Sequence, residues 1–81
     1  MEIYYNDSTD LLYLRFDPRK QPLRNEDLTA DIVLDIGDND RLVGIEILGA
    51  SHIVNLESLL PVAFRHGSRE EAVPRGAPAA G

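Results

Sequence analysis

Residues 31–51 alternate between apolar and polar or small side chains on both sides of an acidic turn, and this pattern constrains the fold more than any other in the chain. A period of two is typical of β-strands that bury one face. Both apolar sets can share one face only if the two strands pair in a single register. That register predicts a β-hairpin with three apolar pairs: Ile32 with Ile47, Leu34 with Ile45 and Ile36 with Val43.

The same register fixes the turn of this hairpin and its other face. Asn39 and Asp40 are the predicted two-residue loop, and both residue types tolerate the positive φ of a type I′ turn. A glycine in place of Asp40 would avoid the steric strain of that conformation. On the outer face, the register predicts two further pairs, Asp35 with Gly44 and Val33 with Glu46.

Residues 1–16 predict a second hairpin around a turn at residues 6–10, where Asn, Asp, Ser and Thr side chains can bond to nearby backbone groups. The side chains expected to face inward are apolar or aromatic: Ile3, Tyr5, Leu12, Leu14 and Phe16. Pairing Tyr5 with Leu12 then predicts two pairs on the outer face, Tyr4 with Tyr13 and Glu2 with Arg15.

A short helix is predicted after the second hairpin. Asn55 can cap its start, and Pro61 should end it, because the residue before a proline avoids the α conformation. Its expected apolar stripe is Leu56, Leu59 and Leu60.

The predicted fold class is α+β and β-rich, an antiparallel β-hairpin meander of four to five strands with one short C-terminal helix and a disordered tail. Residues 26–28, acidic with one apolar neighbour, predict a short edge strand. A single domain is expected over residues 1–66. Residues 67–81 contain prolines and alanines outside any apolar period and predict a flexible C-terminal tail.

Length and charge narrow the expected partners. A chain of 81 residues buries only about 60% of the surface that its unfolded form exposes, and without cysteine it has no disulfide to compensate, so dimerisation is expected. Residues 1–50 carry 11 acidic and 5 basic side chains and so account for the net charge of −6. This balance disfavours a nucleic-acid-binding surface. No apolar run approaches the length of a membrane span, and a cytoplasmic protein is expected.

The outer face of the sheet is the candidate interaction surface. Tyrosine is enriched at interfaces because it buries area and keeps a polar group. The predicted surface comprises Glu2, Tyr4, Tyr13, Val33, Asp35, Leu42 and Glu46. No catalytic, cofactor-binding or metal-ligating residue is assigned, because the two histidines have no cysteine to complete a site and the acidic turn lacks the pattern of an EF-hand.

Two blocks of residues carry a resemblance to a known family. The first block is Tyr5, Asn6, Asp10, Leu12, Tyr13 and Leu14, and the second is residues 32–35, Asp38, Arg41, residues 43–48, Ala50 and Ser51. Together they resemble the YuzE-like family of small bacterial proteins, a domain of unknown function (DUF2283). Asn6 and Asp40 stand where this family usually has aspartate and glycine. The resemblance implies a compact β-meander with a terminal helix, and it implies no established activity or catalytic residue.

Three functions remain open from the sequence. The leading interpretation is a small non-enzymatic interaction module that works as a homodimer. The first alternative is an antitoxin-like partner of a small basic RelE-like toxin, since the resemblance implies that some family members lie beside such toxin genes. The second is a metal-binding protein or small hydrolase with a site assembled across a dimer. A second copy and a basic protein are the expected partners, and no cofactor, direct nucleic-acid contact or membrane contact is expected.

Overall fold

The structure, a computed structural model, describes residues 1–67, which form one five-stranded antiparallel sheet. The strands are β1 (Glu2–Asn6), β2 (Leu11–Arg15), β3 (Arg24–Asp27), β4 (Ile32–Ile36) and β5 (Leu42–Leu48). Their spatial order is β1-β2-β5-β4-β3. Three short 3₁₀ turns, Asp38–Asp40, Ala50–His52 and Leu56–Ser58, are the helical elements of the described residues.

The strand order is not that of a simple meander, and the expected meander is therefore only partly right. β3, β4 and β5 pair in sequence, but β5 rather than β3 lies beside β2. The residues of β3 explain this order, because three of its four side chains are charged and all four are exposed. Such a strand suits a sheet edge, whereas the apolar residues of β2 require a buried neighbour.

The predicted registers are confirmed along most of both hairpins. β1 and β2 pair Tyr4 with Tyr13 and Tyr5 with Leu12. The β4–β5 pairs are also as predicted from residue 32 to residue 35. Ile36 is the exception: a β-bulge pairs it with Leu42 instead of Val43.

Val43 is the extra, unpaired residue of β5 at this bulge. The Val43 carbonyl accepts from the Phe16 N–H at 2.7 Å, so it is directed towards the end of β2. The turn beyond the bulge is as predicted, because the Arg41 N–H donates to the Asp38 carbonyl at 3.2 Å. Asn39 and Asp40 have φ values of 59° and 58°, as a type I′ turn requires.

One face of the sheet carries the apolar core. Leu12, Ile47 and Ala50 are its buried centre. Seven partly buried side chains pack against it: Ile3, Leu14, Ile32, Ile45, Val54, Leu56 and Leu59. The segment after β5 thus covers this face, which we call the inner face, in the place where the predicted helix was expected.

The predicted C-terminal helix is wrong. Asn55 does cap a turn, its Oδ1 accepting from the Glu57 N–H at 3.1 Å, but that turn is the 3₁₀ element Leu56–Ser58. Pro61 disfavours the α conformation at Leu60, which leaves too few residues to nucleate a helix. The predicted stripe is also incomplete, because Leu60 is exposed.

Two further predictions concern the edge and the end of the chain. The edge strand exists, but it spans Arg24–Asp27 rather than residues 26–28. From residue 68 onward, the predicted flexible tail lies outside the described residues. Within residues 1–67, no helix is long and apolar enough to cross a membrane.

Candidate functional site

The structure places six of the seven predicted surface residues on the face opposite the core, which we call the outer face. Antiparallel pairing puts Glu2 and Tyr4 beside β2, Tyr13 opposite Glu46, and Val33 opposite Glu46 from the other side. The seventh, Leu42, lies beyond the bulge and pairs with Ile36. The alternation that places the other six residues on the outer face therefore does not extend to it.

Tyr4 and Tyr13 are stacked across β1 and β2. Their ring centroids are 6.4 Å apart and the ring planes differ by 27°. Offset stacks at this separation are favourable. Tyr4 is 52% exposed, whereas Tyr13 is partly buried, so Tyr4 is the more accessible of the two rings.

The Tyr13 side chain reaches from β2 across β5 to β4. Its hydroxyl donates to Asp35 Oδ2 at 3.0 Å. Gly44 of β5 lies beneath the ring, and a Cβ at that position would come within 2.6 Å of Tyr13 Cζ. Real side chains do not tolerate such a contact, so glycine provides the room that the ring occupies.

Asp35 is only 4% exposed, and both of its carboxylate oxygens have donors. Oδ2 accepts from Tyr13, and Oδ1 accepts from Asn25 Nδ2 of β3 through a short hydrogen bond. A buried carboxylate is tolerated when it is hydrogen-bonded in this way. Burial, followed by the hydrogen bond and charge of Asp35, raises the pKa of Tyr13 above its usual value.

These contacts form one continuous series, Tyr4, Tyr13, Asp35 and Asn25, which we call the outer polar series. It connects the edge strand β1 to the opposite edge strand β3. Sequence reasoning missed Asn25, because its contact depends on the β3–β4 register and no local pattern reveals it. The glycine inside β5 was the available signal for the crossing ring, since an isolated strand glycine indicates a close approach.

A second polar cluster joins the turn after β1 to the residues after β5. Asp10, with φ of 56°, accepts from the Tyr5 hydroxyl at 2.7 Å and from the Ser51 Oγ at 2.7 Å. The Tyr5 hydrogen bond first, and the Ser51 hydrogen bond second, hold the pKa of Asp10 below its usual value. A carboxylate of low pKa is a weak base, so this arrangement favours anchoring the turn over activating the serine.

Sequence reasoning also missed this cluster. Asp10 and Ser51 are 41 positions apart, and neither has a local signal for the contact. They belong to the two separate residue blocks that carry the family resemblance, and the structure brings those blocks together.

The outer face carries two further carboxylates, those of Glu2, which is exposed, and Glu46, which is partly buried. The ion pairs found within residues 1–67 join Arg19 to Asp17 and Arg24 to Glu26 and Asp40, so none involves Glu2 or Glu46. The acidic residues in and before the turn do not form one cluster. Asp40 is paired with Arg24, whereas Asp35 is buried under the Tyr13 ring. Over the same residues there is no pocket and no group of three metal-ligating side chains.

Comparisons with known proteins give one finding. A family model described as "Protein of unknown function (DUF2283)" matches residues 2–51. No curated protein and no solved structure matches the chain. The matched segment contains all five strands, the outer polar series and the Asp10–Ser51 contact. It covers more than half of the 81 residues, and the chain therefore belongs to this DUF2283 family.

Proposed function

We propose that the protein is a non-enzymatic interaction module that works as a homodimer. The balance of buried and exposed apolar residues carries this proposal. Five hydrophobic residues are buried, whereas twelve large hydrophobic side chains are exposed among the described residues, and they include Tyr4, Phe16 and Phe64. A small domain with so thin a core gains stability when a second chain covers part of that surface.

The use of the acidic and hydroxyl groups supports a non-enzymatic role. Asp35 accepts from Tyr13 and Asn25, and Asp10 accepts from Tyr5 and Ser51. Each carboxylate therefore connects segments of the fold. The proposal includes the cytoplasmic location expected from the sequence.

Sedimentation analysis over a dilution series tests the homodimer. We expect twice the chain mass at high concentration and a reversible shift towards the monomer on dilution, because an assembly of two chains obeys mass action. A protein that sediments as a monomer at every concentration would contradict the proposal.

A second candidate function is recognition of a basic partner, as in the antitoxin-like alternative. The observation that favours it is the acidic excess of residues 1–50, together with Glu2 and Glu46 on the outer face. Opposite charges accelerate encounter, and salt weakens this effect, because the Debye length falls from about 30 Å at 0.01 M to about 10 Å at 0.1 M.

Capture of a small basic RelE-like protein from native lysate at low and high salt tests this candidate. The Glu2→Gln/Glu46→Gln double variant should capture less of it, and Glu57→Gln, which changes a carboxylate in the last 3₁₀ turn, is the matched control. Asp35 is not a suitable position for this test, because it is buried and hydrogen-bonded. Equal capture by both variants would exclude the outer face as the basic partner's site.

A further inference from the structure

The two edge strands of the sheet differ in how they are protected. β3 has four residues, of which three are charged, and Arg24 binds both Glu26 and Asp40. β1 has one charged residue, Glu2, followed by Ile3, Tyr4 and Tyr5. Natural proteins block edge strands with charges, prolines or short length. By this criterion β3 is a protected edge and β1 is an open one.

The hydrogen-bond pattern shows which backbone groups of β1 face the open edge. The Phe16 N–H donates to β5, so alternation along β2 directs the backbone of Tyr13 towards β1. Tyr13 is opposite Tyr4, and these two residues form a hydrogen-bonded pair. Ile3 and Tyr5 therefore direct their N–H and C=O groups away from the sheet.

We propose that β1 pairs antiparallel with β1 of a second copy, around a two-fold axis at Tyr4, so that one continuous sheet runs through both chains. This inference rests on the proposed homodimer and names its interface. In this register Ile3 lies opposite Tyr5 of the second copy, and each such pair exchanges both backbone hydrogen bonds. Tyr4 lies opposite its own counterpart, where side chains approach most closely.

Side-chain chemistry favours a second copy as the occupant of this edge. Ile3 and Tyr5 lie on the inner face, so their pairing extends the apolar surface across the axis. Glu2 lies opposite Asn6 of the second copy, and no like charges meet. A two-fold interface must be self-complementary, and this five-residue strand meets that condition over its whole length.

The net charge of −6 predicts how this interface responds to salt. Two acidic chains repel each other, and salt screens that repulsion. Homodimer affinity should therefore rise with salt, whereas capture of a basic partner should fall. The direction in which affinity changes with salt therefore distinguishes the homodimer from a complex with a basic partner.

A pair of opposite charges at Tyr4 tests the interface. Tyr4→Lys and Tyr4→Glu each place like charges opposite one another across the axis, which should raise the dimer dissociation constant about tenfold or more. An equimolar mixture of the two variants should restore association as a heterodimer. Leu28→Lys and Leu28→Glu make the same two changes of net charge at an exposed position next to the protected edge, and they should change the dissociation constant much less.

Amide hydrogen exchange gives a second readout on the unmodified chain. The Ile3 and Tyr5 amides should gain protection as the protein concentration rises, whereas the Tyr4 amide, bonded within the hairpin, should be protected throughout.

The outcomes separate this inference from the proposal on which it rests. A chain that is monomeric at every concentration overturns both. A wild-type dimer that persists in both Tyr4 variants, or whose Ile3 and Tyr5 amides show no concentration-dependent protection, overturns the β1 interface and leaves the homodimer standing. An unchanged far-UV circular dichroism spectrum and cooperative unfolding of the variants establish that loss of association is not loss of folding, while their melting temperatures should fall to that of the monomer.

Discussion

The inner and outer faces of the sheet are stabilised by different interactions. On the inner face, Leu12 and Ile47 are buried beneath the segment that follows β5, and Ala50 is the buried residue of that segment. On the outer face, Tyr13 and Asp35 are connected by a hydrogen bond that crosses an intervening strand. Burial is nondirectional and tolerates small shifts, whereas a hydrogen bond depends on distance and angle. The outer face should therefore be the more sensitive to small changes of shape.

The largest effect is expected on the inner face, from Leu12→Ala. Leu12 is fully buried, and its truncation should lower the free energy of unfolding by about 4 kcal/mol, because it removes burial and leaves a cavity. Urea unfolding measures the change. Leu48→Ala at an exposed position is the control, and an equal loss there would show that the two leucines do not differ as described.

Gly44→Val should be the most damaging change on the outer face. The new side chain would displace the Tyr13 ring, and the buried Asp35 carboxylate would lose one of its two donors. Overpacking and this loss together should lower the free energy of unfolding by about 3 kcal/mol. Thermal and urea unfolding measure it. Glu46→Val is the control, because it introduces the same side chain at the next outward-facing position of β5. If both variants were equally stable, the ring would not occupy the space above Gly44.

Tyr13→Phe removes one hydroxyl and keeps the ring. The free energy of unfolding should fall by about 1 to 2 kcal/mol, because Asp35 loses a donor while remaining buried. Tyr4→Phe at the exposed end of the outer polar series should change it by less than about 0.5 kcal/mol. A Tyr13 variant as stable as the wild type would mean that water replaces the lost donor, and the contrast between the faces would disappear.

The smallest effect is a gain. Asp40→Gly should raise the free energy of unfolding by about 0.5 kcal/mol, because relief of strain at positive φ exceeds the loss of an exposed ion pair with Arg24. Asp38→Gly is the control, since Asp38 does not have positive φ. Lower stability of the Asp40 variant would indicate that the Arg24 contact outweighs the strain.

Local patterns predicted the two hairpins because both registers follow from alternation. One shared apolar face was enough to pair Leu34 with Ile45 and Tyr5 with Leu12. The pairing of Ile36 with Leu42 could not be predicted, since alternation alone carries no signal for the extra residue, Val43, that the bulge places in β5.

The candidate surface was predicted as a set of residues but not as a structure. Alternation placed Tyr4, Tyr13 and Asp35 on one face. It could not show that Tyr13 crosses β5 to bond Asp35, because that contact depends on which strand lies between them. Asp35 consequently changes from an exposed candidate contact to a buried acceptor. The predicted helix was wrong because Pro61 leaves room only for the 3₁₀ turn Leu56–Ser58, which the apolar spacing at residues 56–60 does not distinguish from a helix.

The order of the strands bears on how the chain folds. β3, β4 and β5 are consecutive and can assemble through contacts near in sequence, as can β1 and β2. The sheet is complete only when Leu12 meets Ile47, and the Asp10–Ser51 contact closes the same long loop. Contacts between distant parts of a chain form slowly, because the loop entropy is lost before the contact is gained. The late step of folding should therefore be the meeting of the β1–β2 hairpin with the three-stranded β3–β4–β5 unit, with the inner core completed in that step.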